Sequence, residues 1–213
     1  MKNKGIICIE TEFEITSNNN RLQLNSEPLL QFLSKTYGIP YIYRKVATIE
    51  ELKYYFKQFR KKEYSDKYHM YYFSFHGETH LISFESGESL DLSELADIAN
   101  GIFEGKFVHF GSCRTMLGSQ YIIQEFCDTC GAKMVSGFTK GVNFDLCAIH
   151  DAALIAETIS YKQIPTIINH MENLYGGLQK KWDLDTLYKN NSYHTIMTTF
   201  NRNATIKQSN VPT

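Results

Sequence analysis

Short apolar runs rich in β-branched and aromatic residues alternate with longer helical patterns along most of this chain. The predicted strands are the runs at 6–9, 40–43, 68–76, 106–110, 133–137 and 193–200. Between them lie segments of about 10 to 15 residues whose apolar side chains have helical spacing. Strands that alternate with helices form βαβ units, in which parallel strands are covered on both faces. The chain is therefore predicted to form a single three-layer α/β domain with a mostly parallel six-stranded sheet flanked by helices.

Local signals place several element ends within this pattern. Thr48, followed three residues later by Glu51, is typical of a capping box at the start of the second helix. Gly38 ends the first helix, because glycine adopts the left-handed backbone of a helix end without strain. The polar segment 10–20 is predicted to be a surface loop, and residues 79–84 a small hairpin added beyond the third strand.

The overall composition excludes several classes of protein. Of the 213 residues 43% are hydrophobic, and 14 Phe, 14 Tyr and 1 Trp provide large side chains for a hydrophobic core. Disorder is therefore excluded as the dominant state. The 22 basic and 23 acidic residues nearly cancel, which gives no general electrostatic reason to bind nucleic acid or an anionic membrane. The apolar run at 6–9 is too short for a signal peptide, and no uncharged stretch is long enough to span a membrane. We therefore expect a cytoplasmic protein without nucleic-acid or membrane partners.

The five cysteines are too few for a disulfide scaffold, and their odd number leaves at least one thiol free. A reducing compartment fits this content best. Cys8 and Cys147 lie in apolar stretches, where packing is the expected role. Cys127 and Cys130 form a Cys-x-x-Cys motif, which suits a redox pair or half of a zinc site, but it lies late in a predicted helix without a second pair. A structural role is favoured for these four, which leaves Cys113 as the candidate for chemistry.

Two predicted strands each end in a residue that can take part in catalysis. His76 follows one strand, Cys113 follows another, and reactive groups collect at the carboxyl ends of parallel strands. Because neighbouring strands lie about 4.8 Å apart, imidazole and thiol are predicted to meet as a dyad in which the histidine generates the thiolate nucleophile. A helix expected to begin near Leu117 would also favour the thiolate. The backbone N–H groups of Gly77 and Cys113 are candidates for an oxyanion hole.

The blocks Tyr-Phe-Ser-Phe-His-Gly at 72–77 and His-Phe-Gly-Ser-Cys-Arg-Thr at 109–115 resemble the catalytic blocks of caspase-like cysteine peptidases, most closely the CHAT branch shared with separases. The resemblance covers residues 68–151, and the topology extends it back to Ile6. It implies a caspase-like (flavodoxin-like) domain at 1–200 and a polar tail at 201–213. It also implies that His76 is the base, Cys113 the nucleophile and hydrolysis of a protein or peptide the reaction, without a cofactor. Bacterial members of the group are often tied to defence or regulated-death pathways.

The residues around the nucleophile depart from other branches of that family. Gly111 stands where caspases carry glutamine and metacaspases aspartate, so neither an acidic nor a basic preference carries over for P1, the substrate residue whose carbonyl is attacked. Phe138 stands where CHAT sequences usually have tryptophan. The candidate substrate-binding residues are Gly111, Ser112, Arg114, Ser136, Phe138 and Lys140. No internal processing loop is evident between Cys113 and the fifth predicted strand, so activation by self-cleavage is not expected. The chain has little room for an attached sensor domain, which favours control by a separate regulatory or sensor protein.

Other interpretations stay open on sequence alone. A noncatalytic interaction module would keep the caspase-like fold without turnover. A flavodoxin-like ligand binder would need a phosphate cradle after the first strand, where Glu10, Glu12 and Glu14 repel phosphate. These acids either line the cleft and attract a basic substrate or form a solvated loop. The segment from His76 to His80 resembles the zincin motif only superficially, because its glutamate is displaced and the segment is strand and loop, so no metal site is predicted.

Overall fold

The centre of the fold is a six-stranded, mostly parallel β-sheet. In the computed structural model of the chain, residues 4–11, 13, 24–181, 184 and 186–190 are described. The strands of this part are β1 (Gly5–Thr11), β2 (Tyr41–Val46), β3 (Tyr68–Ser74), β4 (His76–Glu78), β5 (Leu81–Ser83), β6 (Ser89–Asp91), β7 (Phe107–Phe110), β8 (Met134–Phe138) and β9 (Thr186–Asn190). The large sheet has the order β2-β1-β3-β7-β8-β9, and only β9 runs antiparallel to its neighbour. The predicted α/β class and sheet are therefore confirmed.

Helices cover both faces of this sheet and complete three layers. They are α1 (Glu27–Tyr37), α2 (Ile49–Phe59), α3 (Lys62–Ser65), α4 (Leu92–Ala99), α5 (Gln120–Thr129), α6 (Phe144–Ser160), α7 (Ile164–His170) and α8 (Gly176–Lys181), with a π-helical turn at Met171–Tyr175. Ile7 and Ile9 of β1 pack in one cluster with α2, α4 and α5, whereas Ile6 and Cys8 pack in another with α1, α6 and α7. Burial on both faces explains why the central strands are continuously apolar instead of alternating. None of the described helices combines the length and apolarity needed to cross a membrane.

Several predicted element ends are confirmed, one predicted element is part of a larger sheet, and one predicted strand is not among the described residues. Gly38 ends α1 with a φ of 63°, and the Thr48 side chain accepts a hydrogen bond from the Glu51 N–H at the start of α2. The predicted hairpin at 79–84 is part of a three-stranded antiparallel sheet, β4-β5-β6. The strand predicted at 193–200 lies outside the described residues, and the sixth strand of the sheet is β9.

The prediction that residues 10–20 form a surface loop is wrong at Glu10. This residue continues β1, and its side chain is fully buried. One carboxylate oxygen accepts a hydrogen bond from the Tyr43 hydroxyl at 2.6 Å, and the other accepts one from the Ser26 backbone N–H at 2.7 Å. Burial raises the pKa of Glu10, and these hydrogen bonds partly oppose the rise. Glu10 therefore fixes the start of α1 to the sheet and does not face a substrate cleft, whereas Glu12 and Glu14 lie outside the described residues.

Candidate active site

The carboxyl ends of β3 and β7 bring His76 and Cys113 to the same edge of the sheet. The two strands are parallel neighbours, with Phe73 opposite Phe110. Directly beyond β7, the Gly111 N–H donates a hydrogen bond of 2.7 Å to the Phe73 carbonyl, which holds the two strand ends together. His76 begins β4 one residue beyond β3, and Cys113 lies in the loop after Gly111. The predicted placement of both residues at one sheet edge is therefore confirmed.

A cavity of about 240 Å³ opens at this edge and has both His76 and Cys113 in its wall. Its lining residues come from four regions of the chain, which follow β1, β3, β7 and β8. They are Phe13, Leu24, Phe75, His76, Gly111, Cys113, Val142, Phe144 and Cys147. The imidazole and the thiol thus share one pocket, and neither is sealed beneath other side chains, because His76 is exposed and Cys113 is partly exposed.

The sulfur of Cys113 lies against the backbone of Val142. The Val142 N–H donates to Sγ at 3.3 Å, and Sγ is 3.6 Å from the Val142 carbonyl oxygen. Val142 stands two residues before α6, a helix of 17 residues, so the sulfur lies near the positive end of that helix. The sequence predicted a helix that begins near Leu117, but that helix, α5, begins at Gln120. The helix end near the thiol is therefore that of α6, which comes from a different part of the chain.

His76 has no hydrogen bond to Cys113 within the described part of the chain. Its ring instead contacts Phe13 edge-on, with 5.1 Å between the ring centroids. Catalytic hydrogen bonds in unliganded sites are often long or absent and form when substrate binds. The exposed imidazole can change rotamer inside the shared pocket, so the arrangement is compatible with a dyad that closes on substrate.

Backbone hydrogen bonds fix the Cys113 loop from both sides. The Arg114 N–H donates to the Lys140 carbonyl at 3.0 Å, and the Met116 N–H donates to the Phe138 carbonyl at 3.0 Å. On the other side, the Thr115 carbonyl accepts from the His80 N–H at 3.2 Å. Arg114 has a φ of 57°, a left-handed conformation that is uncommon outside glycine and that turns the chain directly after the nucleophile candidate. These hydrogen bonds anchor the loop to the end of β8 on one side and to His80 on the other.

Gly77 permits the segment after His76 to pack directly on this loop. A Cβ at position 77 would lie 2.4 Å from the Cys113 carbonyl oxygen, 2.5 Å from Thr115 Oγ1 and 2.9 Å from Ser112 Cβ. These distances are far below van der Waals contact, and the closest atom belongs to the backbone. Glycine at this position therefore couples the placement of His76 to that of Cys113.

Replacing Gly77 with alanine is expected to lower the free energy of unfolding by about 1–3 kcal/mol, the usual cost of an overpacked site. Gly141→Ala is the matched control, because a Cβ there meets no atom within 4 Å and the backbone is not left-handed. Urea unfolding of both variants measures the effect. A Gly77→Ala protein as stable as Gly141→Ala would contradict the close approach of the two segments.

The structure separates the predicted substrate-binding residues into three groups. Gly111 is one of the residues that line the pocket. Arg114 and Lys140 are exposed and are not among the lining residues. The remaining three, Ser112, Ser136 and Phe138, are buried with at most 1% of their surface exposed and do not line the pocket either. Ser112 instead bonds to Thr115 within the loop at 2.7 Å, and the other two belong to the interior beneath the site.

A buried polar network lies directly under Gly111, and sequence reasoning did not find it. Asp151 of α6 accepts hydrogen bonds from the Tyr72 hydroxyl at 2.8 Å, His109 Nε2 at 2.7 Å, His150 Nδ1 at 3.2 Å and Cys147 Sγ at 3.2 Å. A Cβ on Gly111 would lie 2.9 Å from the Asp151 carboxylate. The network therefore forms the floor on which the start of the Cys113 loop rests.

Hydrogen bonding and charge keep Asp151 ionised despite complete burial. Burial alone would raise its pKa, but the adjacent His109 and His150 outweigh that effect and lower the pKa below its ordinary value of 3.8. The ligand atoms of these three residues lie within 4.8 Å of one another, a spacing that could also hold a metal ion. Since both imidazoles hydrogen-bond to the same carboxylate oxygen, that network accounts for the spacing without an ion.

The other four cysteines are buried, and none of the five forms a disulfide. Cys127 Sγ is 3.4 Å from the Ala132 carbonyl oxygen, and Cys130 Sγ is 3.7 Å from the Cys127 carbonyl oxygen. Burial raises the pKa of Cys130 to about 12, which disfavours the thiolate that redox or metal chemistry needs. The structural interpretation of the Cys-x-x-Cys motif is supported. Cys147 also contributes to the pocket wall, beyond its predicted packing role.

Comparisons with known proteins agree with the fold and give no activity. Nothing among the curated proteins matches the chain. The crystal structure of the Drosophila initiator caspase Dronc superposes with a TM-score of 0.56 at 11% sequence identity, over 90% of this chain and 81% of that chain. At this identity the likeness shows the fold alone, and the fold is caspase-like. A model of a family of unknown function, DUF6642, matches residues 3–188. The chain belongs to this DUF6642 family.

Proposed function

We propose that the chain is a cysteine endopeptidase in which His76 activates Cys113. The observation that carries the proposal is the shared pocket, because an exposed imidazole and a partly exposed thiol lie in the wall of one cavity at the carboxyl ends of adjacent parallel strands. This is the position in which α/β folds place reactive groups. The coarser likeness to a caspase fold supports the same class of enzyme.

The surroundings of Cys113 suit a nucleophilic thiolate. The Val142 N–H donates to the sulfur and the amino-terminal end of α6 lies close by, and both stabilise negative charge there. Partial exposure lets a substrate reach the sulfur, whereas burial raises the pKa of Cys127 and Cys147 and keeps these thiols protonated. Cys113 is thus the cysteine best placed to react.

The reaction proceeds in two stages. In the first, His76 accepts the thiol proton, the sulfur attacks the substrate carbonyl, and backbone N–H groups of Gly77 and Cys113 stabilise the oxyanion. His76 then donates its proton to the leaving amine, and a thioester joins Cys113 to the acyl part of the substrate. In the second stage, water activated by His76 hydrolyses the thioester and restores the free thiol.

Labelling by an electrophile tests the nucleophile without any knowledge of the substrate. Wild-type protein treated with iodoacetamide is expected to gain one adduct on Cys113 at least about 10-fold faster than a free cysteine reacts at neutral pH, because His76 can accept the thiol proton and the Val142 N–H donates to the sulfur. Intact-mass kinetics and peptide mapping measure the rate and the position. Cys113→Ala should lose the fast adduct and Cys130→Ala should keep it. Equal rates for Cys113 and free cysteine would contradict activation.

A noncatalytic interaction module with a caspase-like fold is the second candidate. The missing hydrogen bond between His76 and Cys113 favours it, since a pocket kept only for binding needs no dyad. The two candidates differ in the labelling rate, because a module has no reason to hold an activated thiol. Slow labelling that is unchanged in a His76→Ala variant would favour the module.

The finer assignments rest on the sequence blocks at 72–77 and 109–115. They support a relationship to the CHAT branch of caspase-like peptidases, and with it a role in bacterial defence or regulated death. Control by a separate sensor or regulatory protein fits the same assignment. Co-purification of the native protein, followed by mass spectrometry, tests for such a partner.

A further inference from the structure

The pocket beside the proposed nucleophile is walled mostly by hydrocarbon. Phe13, Phe75, Val142 and Phe144 line it together with Leu24, and no Asp, Glu, Lys or Arg is found among the described lining residues. The rings of Phe13 and Phe144 contact each other edge-on, with centroids 6.0 Å apart, so the wall includes a packed aromatic pair. A surface of this kind gains free energy by covering an apolar group.

The size and position of the pocket fit one large side chain. Its volume of about 240 Å³ is below the 300–1,000 Å³ typical of sites for drug-sized ligands and cofactors. Cys113 forms part of the wall, so a residue whose carbonyl carbon meets the sulfur has its own side chain beside this cavity. The pocket is therefore in the position of the P1 subsite.

A charged side chain would find no partner in the described pocket. Asp151, the acid under Gly111, has one carboxylate oxygen occupied by His109 and His150 and the other by Tyr72 and Cys147. Its occupied oxygens offer nothing to a basic side chain, and the described lining residues include no Lys or Arg to pair with an acidic one. Burying an unpaired charge is strongly unfavourable.

We propose that the substrate residue at P1 is large and apolar, such as phenylalanine or leucine, and that Phe144 and Val142 select it. This rests on the proposed peptidase function and extends it, because it names the substrate class that the site accepts.

Peptidyl acyloxymethyl ketones that differ only at P1 provide the test without requiring turnover. The thiolate displaces the carboxylate from the methylene carbon, so a carbon–sulfur bond forms, a carboxylate leaves, and each reaction adds one defined mass. The probes carry Phe, Leu, Ala, Asp or Arg at P1. Rates at Cys113 are expected to be about 10- to 100-fold higher for Phe and Leu than for Asp and Arg, as expected for burial of one apolar side chain. Fastest reaction with the Asp or Arg probe, or equal rates across the series, would overturn the proposal.

Iodoacetamide separates a failure of specificity from a failure of the proposed function. If iodoacetamide alkylates Cys113 rapidly but the ketones with Phe or Leu at P1 do not react fastest, the apolar subsite is rejected and the proposed peptidase function is retained. Slow alkylation with no reaction of any ketone rejects both.

Two phenylalanine variants test whether the pocket produces the preference at P1. Phe144→Ala is expected to reduce the ratio of Phe-probe to Ala-probe rates about 10-fold, because it removes an aromatic wall. Phe32→Ala is the matched control, since Phe32 is 61% exposed on α1 and lies outside the lining residues. An unchanged ratio in Phe144→Ala would overturn the assignment of Phe144.

Discussion

Replacement of His76 by alanine is expected to slow peptide cleavage by about 10²- to 10⁴-fold, the usual contribution of a positioned acid–base group. His76 is exposed and starts a three-residue strand, so its side chain contributes little to folding. The variant should therefore unfold at the same urea concentration as wild type. Initial rates on a peptide that the wild type cleaves measure the defect.

The pH dependence of this defect distinguishes a base from a merely structural side chain. Without His76 the thiol has no side-chain base to accept its proton, and hydroxide deprotonates a thiol more completely as the pH rises. The difference in rate between wild type and His76→Ala should therefore narrow at alkaline pH. His80→Asn is the matched control, because asparagine tolerates the left-handed backbone at that position, where φ is 58°. A defect that is equal at every pH would count against general-base catalysis.

Replacement of Asp151 by asparagine is expected to reduce the free energy of unfolding by about 3–5 kcal/mol, because several buried donors lose their acceptor and each such loss costs about 1–3 kcal/mol. Asp151 is fully buried and accepts hydrogen bonds from two histidines, a tyrosine and a cysteine. An amide provides one acceptor oxygen and places an NH₂ group against a donor. Urea unfolding at pH 7 measures the loss. Asp145→Asn, an exposed change in the first turn of the same helix, should cost less than about 1 kcal/mol.

The difference in unfolding free energy between wild type and Asp151→Asn also depends on pH. The folded-state pKa of Asp151 lies below its ordinary value of 3.8, so the stabilisation is present above about pH 4 and is lost as the pH falls through the folded-state value. The difference in unfolding free energy between wild type and Asp151→Asn should therefore be constant from pH 7 to about pH 5 and shrink in stronger acid. A difference that grows on acidification would contradict an ionised Asp151.

The sequence was sufficient to predict the five parallel strands of the sheet and the placement of His76 and Cys113 at one edge, but it did not predict β9. Both successful predictions depend on local features, since each of these strands contains a short apolar run and each candidate residue lies close after the end of one. Adjacent parallel strands then force their ends together. The same reasoning explains why the helix start at Thr48 and the helix end at Gly38 were predictable, because each depends on a few neighbouring residues.

The surroundings of the site depend on packing between distant segments, which spacing in the sequence does not reveal. Val142 meets the Cys113 sulfur across 29 residues, and His109 meets Asp151 across 42. The mistaken substrate role of Ser136 has a physical cause in the register of the sheet. Ser136 stands opposite His109 on the neighbouring strand, and both side chains face the buried Asp151 side. The position of Ser136 along the chain suggested a substrate role, but its hydrogen-bond partner His109 lies in the interior.

Mapping of new protein N-termini is the most direct test of the central claim that Cys113 and His76 form a peptidase. A proteome digest with wild-type protein is compared with one containing Cys113→Ala, after circular dichroism shows that both are folded. The account predicts new N-termini that appear only with the wild type and that follow large apolar residues. Identical sets of N-termini with wild type and Cys113→Ala would contradict the claim.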